Sequence, residues 1–502
     1  VLSVAARQAV LFAAITVALS ATADARTGRA RAPATGPVSY LITGPSGHPI
    51  PGKLTIEGVR PTRTPKLGPR YGRRIGADVV SFNRVFSTTG RGWLALPAGS
   101  YDVTVSRGPE WTVHRQRIRV GDDAVGIEAR LTRAVDTTGW LATDLHVHAV
   151  RSTDSVVPMK ARLQQMIADG IEMLASTDHN TVSDYGPAID ALGARHLIGS
   201  ARGYELTTKK WGHLGAFPLP ARLANKKRGA VLSRGRTGAD YIARIREAEP
   251  ASIVIAFHPH SRTSSYLRDG GLRRGRDRAR PGFSWDFDAL EILNGYNKYN
   301  FGSAIRRNLA AWFDLLDHGH LVAAVGGSDS HALRAIGGQG GYPRTYVFVG
   351  DDRPDAATPA AVVRGIAGRR AIATTGPFVT AEVAGRGIGQ LAPAPGGRAT
   401  VRVRVQAAPW VPTDRLTIYV DGRVRRRIPI PAGRAPLRID RAIELEVGRD
   451  AYVVVRVDGD GDLMPVAGER DHAIPSIAIA NPIFLDVDGN RRFDPAKPHG
   501  HR

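Results

Sequence analysis

Hydrophobic positions along this chain change their period twice. From about residue 37 to 135 they alternate with polar ones: Tyr101, Val103 and Val105 interleave with Asp102, Thr104 and Ser106. A period of two marks a strand with one buried face. The turn Pro97-Ala98-Gly99 precedes that run, and Gly52 and Gly58 bracket another at Leu54 to Glu57, as turn residues flank strands. Between 138 and 380 the texture differs. Val156 to Asp169 has helical spacing, as do Trp312, Leu315 and Leu316, whereas Ile171 to Ala175, Ile253 to Phe257, Leu290 to Leu293 and Leu321 to Val325 are short apolar runs. Such runs set among helical stretches predict a mostly parallel sheet or barrel. After Gly376-Pro377 the alternation returns, with Val401, Val403 and Val405 against Arg402 and Arg404, and similar patterns at 416–420, 443–447 and 452–457.

The pattern predicts an α/β middle region with a β-sandwich domain on each side: 37–137, 138–380 and 381–502. A length of 502 residues fits about three domains. Ahead of them, Arg7, the apolar run Ala9 to Ala21 and the pattern Ala23-Asp24-Ala25 read as a secretory signal over 1–25, cleaved after Ala25. The run has 13 residues, short of the roughly 20 that span a bilayer. Residues 26–36, rich in Arg, Ala, Pro and Gly, read as a linker. The expected location is therefore secreted, periplasmic or in the cell envelope, with no transmembrane segment after cleavage.

Composition narrows the chemistry. With 42% apolar and 23% charged residues, general disorder is excluded. The formal charge of +23 comes mostly from arginine and favours anionic surroundings: an envelope polymer, nucleic acid, or a phosphate-bearing or ester substrate. There is no cysteine, which excludes disulfides, thiolate metal sites and a cysteine nucleophile.

Five short segments carry the candidate site. Asp144-Leu145-His146-Val147-His148 sets two imidazoles on one side of a strand, and Asp154 follows. Thr177-Asp178-His179-Asn180 ends an apolar run; Glu205 is followed by Trp211-Gly212-His213; Phe257-His258-Pro259-His260 and Gly326-Gly327-Ser328-Asp329-Ser330-His331 end two further apolar runs. In βα barrels, functional groups collect at the C-terminal ends of strands. Burying that many ionisable groups without a cation would be costly. Imidazole and carboxylate without thiolate suit Zn, Mn or Fe. Such ions lower the pKa of bound water from about 15.7 to roughly 7 and so supply hydroxide for hydrolysis.

Taken in order, H-x-H, the following Asp, T-D-H, a Glu, H-P and S-D-x-H resemble the PHP (polymerase and histidinol phosphatase) superfamily, over residues 138–380. Trp140 to Ser155, Glu205 to Pro218, Thr375-Gly376-Pro377-Phe378, Asn481-Pro482-Ile483-Phe484 and Asp486-Val487-Asp488-Gly489 look like its CehA/McbA-like metallohydrolase branch. The resemblance implies a distorted (β/α)7 barrel and a phosphoesterase that uses a metal-bound hydroxide at a di- or trinuclear site. It implies a first cation on His146, His148, Glu205 and Asp329, a second on Glu205, His213 and His258, and a third on Asp154, His179 and His331. Glu205, Asp329 and His331 are the implied catalytic residues. The His148 to Asp154 spacing is one residue longer than the commonest family pattern, so a two-metal site stays open.

Asp178 is expected either to orient His179 or to cap the next turn, and Glu291 and Asn294 either to line the pocket or to close a strand end. The loop after His260, with Arg262, Arg268, Arg273, Arg274, Arg276, Arg278 and Arg280, is expected to overhang the site and attract anions, or to be a solvated insertion. Asp486, Asp488 and Asn490 resemble the start of a calcium loop without its closing Glu, and Asp458, Asp460 and Asp462 fit a turn or a weak calcium site. Carbamate or carboxylic ester hydrolysis at the same site is the alternative chemistry. A non-catalytic wall-binding protein is the alternative class, and a nucleic-acid enzyme lacks the aromatic-basic interleaving of a strand-binding groove.

Overall fold

Strands dominate among the described residues. The computed structural model describes residues 34–224, 236–261, 264–273, 275, 278–295, 301–334 and 338–497. The expected leader and most of the expected linker lie outside these residues, as do Arg262, Arg274 and Arg276. Among the described residues there are 29 strands in five sheets and six α-helices. The expectation of an α/β fold built on a (β/α)7 barrel is therefore corrected: the protein is mostly β. The physical reason lies in pairing, which apolar runs do not encode. Trp140–Val147 pairs antiparallel with Arg344–Phe348, and Tyr204–Thr207, His213–Phe217 and Ile253–Ala256 pair antiparallel in succession. Tyr204–Thr207 and His213–Phe217 are joined by a short turn where a barrel would need a crossover helix.

Local elements follow the hydrophobic pattern closely. Gly99–Ser106 and Gly52–Gly58 are adjacent antiparallel strands. Met159–Ala168 and Ser303–Asp317 are helices, and Met173–Ser176, Ile253–Ala256, Ala289–Asn294 and Ala323–Gly327 are fully buried strands. The N-terminal strands form a three-stranded and a six-stranded sheet around one core that includes Val38, Leu54, Leu94 and Val103.

Two sheets frame the centre of the molecule. The first has 11 strands. It runs from Gly199–Ala201 through Met173–Ser176, Trp140–Val147, Arg344–Phe348 and Ala371–Thr374, then on to Pro475–Ala480 and Ala451–Asp462 without a break. The second has five strands, ordered from Tyr204–Thr207 to Ala323–Gly327. Single bridges join the two sheets, Val147 to Ser330 and His179 to Glu205, so the strand ends carrying the histidines meet there. At the opposite end Asn481 acts as a clamp. Its Oδ1 accepts from Ala324 N (2.7 Å), and its Nδ2 donates to Ala324 O (2.8 Å) and Ala371 O (2.9 Å).

The N-terminal sheet docks on the central helix through charge. Lys53, on Gly52–Gly58, pairs with Asp169 at the end of helix Met159–Ala168, and both side chains are fully buried. Burial pushes the Lys53 ammonium down to about 8 against the pull of Asp169. Arg344 Nη2 donates to Asp169 O (2.8 Å), and Arg84 Nη1 donates to Gln339 Oε1 (3.1 Å). Removing one partner of a buried pair leaves an uncompensated charge. Lys53→Met is expected to destabilise the protein by about 3–5 kcal/mol, and Lys53→Met/Asp169→Leu to recover most of that loss. Denaturant midpoints of the two variants check this; a single variant as stable as the parent would exclude a tight buried pair.

Candidate metal centre

The candidate side chains reach the centre from strand ends and the turns that follow them, and at three of these positions the backbone is forced. His258 and Asp329 adopt φ of 28° and 49°, and Asn180 adopts 52°. These left-handed values cost non-glycine residues about 1–3 kcal/mol each and cluster at functional sites. Gly327 makes the approach possible: a Cβ there would lie 2.5 Å from His146 Cβ and 2.8 Å from Glu291 Oε1.

Glu205 is the hub. Its Oε1 lies 2.7 Å from His213 Nδ1, 3.2 Å from His258 Nε2 and 3.6 Å from His146 Nε2. Its Oε2 lies 2.8 Å from His179 Nδ1 and 3.4 Å from His148 Nε2. Asp329 Oδ1 sits 3.3 Å from His146 Nε2 and 3.2 Å from His148 Nε2. Asp154 does reach: its Oδ2 is 3.1 Å from His179 Nε2 and 3.2 Å from His331 Nε2. The donor atoms fall into four overlapping groups that could hold a metal ion: His148, Asp154, His179 and His331; His146, His258 and Asp329; His146, His148 and Glu205; and His179, Glu205 and His213. All nine side chains expected from the sequence are thus brought together, while His260 joins none of the groups.

The outer ring nitrogens are tethered, which aims the inner ones. His146 Nδ1 lies 2.9 Å from Glu291 Oε1. His148 Nδ1 lies 3.1 Å from Ser152 Oγ, which itself donates to Asp154 Oδ1 at 2.9 Å. His331 Nδ1 lies 2.9 Å from Asp329 O. A ring whose Nδ1–H is engaged turns a lone pair at Nε2 inward, the tautomer a metal ligand needs. His146 Nε2 and His148 Nε2 are buried and make no hydrogen bond, which fits a cation between them better than an all-protein network.

The electrostatics keep the carboxylates of this donor set charged. Burial raises the Glu205 carboxyl, but the imidazoles of His179, His213 and His146 outweigh it and hold the group well below the usual carboxylate range. Asp329 is likewise held down, against burial, by His146, His148 and His331. Burial opposes protonation of His179, yet Glu205 and Asp154 lift it to about 11. His148 is driven well below its ordinary value by burial and by His331. The carboxylates are therefore ionised, as metal ligation requires, whereas His179 would release a proton on taking a cation.

A supporting layer stands behind these groups. Glu291 does not line the pocket: besides facing His146, its Oε2 accepts from His258 N (2.7 Å) and Asn294 Nδ2 (3.0 Å). Asn294 Nδ2 also donates to Asp329 Oδ2 (3.1 Å). Asp178 accepts from Ala149 N (2.7 Å) and from Ser183 Oγ. Arg162, unremarked in the sequence, is fully buried on helix Met159–Ala168 and donates to His148 O (3.1 Å), Ser330 O (2.9 Å) and Ala332 O (2.9 Å). It ties the two strand ends that carry His148 and His331. No pattern in the sequence singles it out, because Lys160, Gln164 and Gln165 share the same helix.

Away from this centre, Asp450, Asp486 and Asp488 form a further acidic group. Asp486 accepts from Gly489 N and Arg491 N, and Asp450 from Val487 N and Asp494 N, so these carboxylates hold a turn. Asp458 pairs with Arg456 and, at 3.9 Å, with Arg415.

No family model and no curated protein matches the chain. Among solved structures it is similar to a Streptococcal ancillary pilin, at 14% identity and a TM-score of 0.16 over 22% of this chain and 36% of that one. It is also similar to a Bifidobacterium adolescentis protein described as a "putative metal-dependent phosphoesterase", at 16% identity and a TM-score of 0.24 over 38% of this chain and 87% of that one. An engineered protein gives 12% identity and a TM-score of 0.15 over 63% of this chain and 49% of that one.

Glu291 generates a test of this supporting layer. Glu291→Gln keeps the shape but weakens the hold on His146, and is expected to lower divalent-cation affinity about 10–100-fold. Competition with a chromophoric chelator measures it, with circular dichroism confirming an unchanged fold; parental affinity would show that Glu291 has no part in aiming the ring.

Proposed function

We propose that this protein is an exported metal-dependent phosphoesterase of the PHP type. The observation that carries the reading is the convergence of six imidazoles and three carboxylates on one largely buried volume, with Glu205 shared among five of the rings. In this reading His146, His148, Glu205 and Asp329 hold one divalent cation, Glu205, His213 and His258 a second, and Asp154, His179 and His331 a third. Zn, Mn or Fe suits these nitrogen and oxygen donors. Such ions, when bound, act as Lewis acids and supply a nucleophile from water at neutral pH.

The protein's own part is to fix charge and position. Glu205 and Asp329 stay ionised without solvent, and Asn294 and Glu291 hold Asp329 and His146 in place. The floor of the site, at His146 and His148, is closed to water. Exposure rises toward Asp154, whose side chain is 47% exposed, so a substrate enters from that side. A phosphoester is favoured over other esters by the net charge of +23, which concentrates anionic substrates around the molecule. The three-part division of the chain, with a metallohydrolase region over 138–380 between β regions, belongs to the same proposal. No helix among the described residues is long and apolar enough to cross a membrane.

The test is turnover of bis(p-nitrophenyl) phosphate against an aryl carbamate by protein loaded with Mn or Zn. Phosphodiester cleavage that falls at least roughly a hundredfold on metal removal and returns on reloading is expected. Turnover of the carbamate alone would replace this reading with carboxylic ester chemistry, and a metal-free protein inert under all loadings would replace it with a binding role. Asp154→Asn is expected to lower the bound metal by one equivalent per chain, read by elemental analysis, while leaving the fold intact. An unchanged metal content would take Asp154 out of the ligand set.

A further inference from the structure

The strand Trp140–Val147 connects two places of different chemistry. Its C-terminal end carries His146. Its first residue, Trp140, lines a half-open cavity of about 460 Å³. His146 stands six positions after Trp140, which at about 3.3 Å per residue sets the cavity roughly 20 Å from the metal centre. None of the nine clustered side chains contributes to it.

The cavity wall is aromatic and the rim is basic. Trp140 and Phe348 meet edge to face with centroids 5.4 Å apart. Arg402 forks onto Asp440 through bonds of 3.0 and 3.1 Å and is neutralised there. Among the described residues Arg370 and Arg404 make no ion pair within 4 Å and no side-chain hydrogen bond, although the carboxylates of Asp440 and Asp136 feel the charge of Arg404. The Arg370 guanidinium carbon lies 3.7 Å from the centre of the Phe348 ring. A guanidinium laid on a ring keeps its in-plane N–H fork open, the geometry that receives a carboxylate or phosphate.

We infer that this cavity binds an anionic, hydroxylated ligand: a sugar or polyol unit carrying a carboxylate or a phosphate. Arg370, held on the Phe348 ring, and Arg404 take the anion, and Trp140 takes an apolar face. Glu382, exposed on the lining and opposite Arg402 in register, accepts from a ligand's hydroxyls, whereas an aromatic acid without them brings only like charge toward it. The volume lies within the usual range of about 300–1,000 Å³ for small-ligand pockets. A second binding place on the far end of the same strand would hold an anionic envelope polymer without obstructing the metal centre, and it stands whether or not the phosphoesterase reading does.

Calorimetric titration of the intact, metal-loaded protein with D-glucuronate, glycerol 3-phosphate and D-glucose tests this. Saturable binding of at least one anion is expected, with glucose at least tenfold weaker. Preference for glucuronate identifies an acidic polysaccharide as the source, and preference for glycerol 3-phosphate a phosphate polymer. Arg404→Glu and Arg370→Gln should each weaken the anion at least tenfold while leaving metal content and ester turnover at the parental level. The inference is overturned if neither anion binds saturably, if Arg404→Glu leaves the affinity unchanged, or if binding disappears only when the metals are stripped.

Discussion

A carboxylate with no water around it must be surrounded by groups that can carry positive charge, and the rest of this structure is arranged to do that for Glu205. The side chain is fully buried, which by itself would neutralise it. Instead five imidazoles approach its two oxygens between 2.7 and 3.6 Å. Those rings come from strands and turns far apart in the chain, so the charge of one residue constrains the meeting of two sheets. The isolated bridges from Val147 to Ser330 and from His179 to Glu205 are where that constraint acts on the backbone. The left-handed conformations of His258 and Asp329 are its local cost.

The layer behind the cluster converts an attraction into a defined geometry. Electrostatic attraction between imidazole and carboxylate is not strongly directional, so a ring could satisfy Glu205 through either nitrogen. Glu291, Ser152 and the Asp329 carbonyl engage Nδ1 of three rings and leave Nε2 facing inward. Arg162 fixes the carbonyls of the segments bearing His148 and His331. With these anchors in place, the three carboxylates and the inward nitrogens are held ready for cations.

The sequence disclosed more about this centre than about the architecture around it. A histidine pair at i and i+2 on an apolar strand, and histidines or carboxylates just after other apolar runs, carry their orientation in their spacing, because strand periodicity fixes which side they face. Asp154 was the least secure by spacing, yet its loop closes on His179 and His331. Pairing partners are different. Whether Tyr204–Thr207 runs beside its neighbour in the same or the opposite sense depends on turn geometry and long-range contacts, and an apolar run looks alike in both cases. The expected barrel failed for that reason, although the strands composing it were recognisable singly. Glu291, Asn294 and Arg162 were hard to assign because their roles depend on which backbone atoms lie beside them in space.

The clamp at Asn481 ties the timing of assembly to the end of the chain. Its amide joins the backbone of Ala324, on the strand that delivers Asp329, to Ala371 in the neighbouring sheet, and Pro475–Ala480 completes the pairing of Ala371–Thr374. The support beneath Asp329 therefore stays unfinished until some 150 later residues have been made and folded back. A partly synthesised chain displays most of the histidines but lacks the frame that holds them in register.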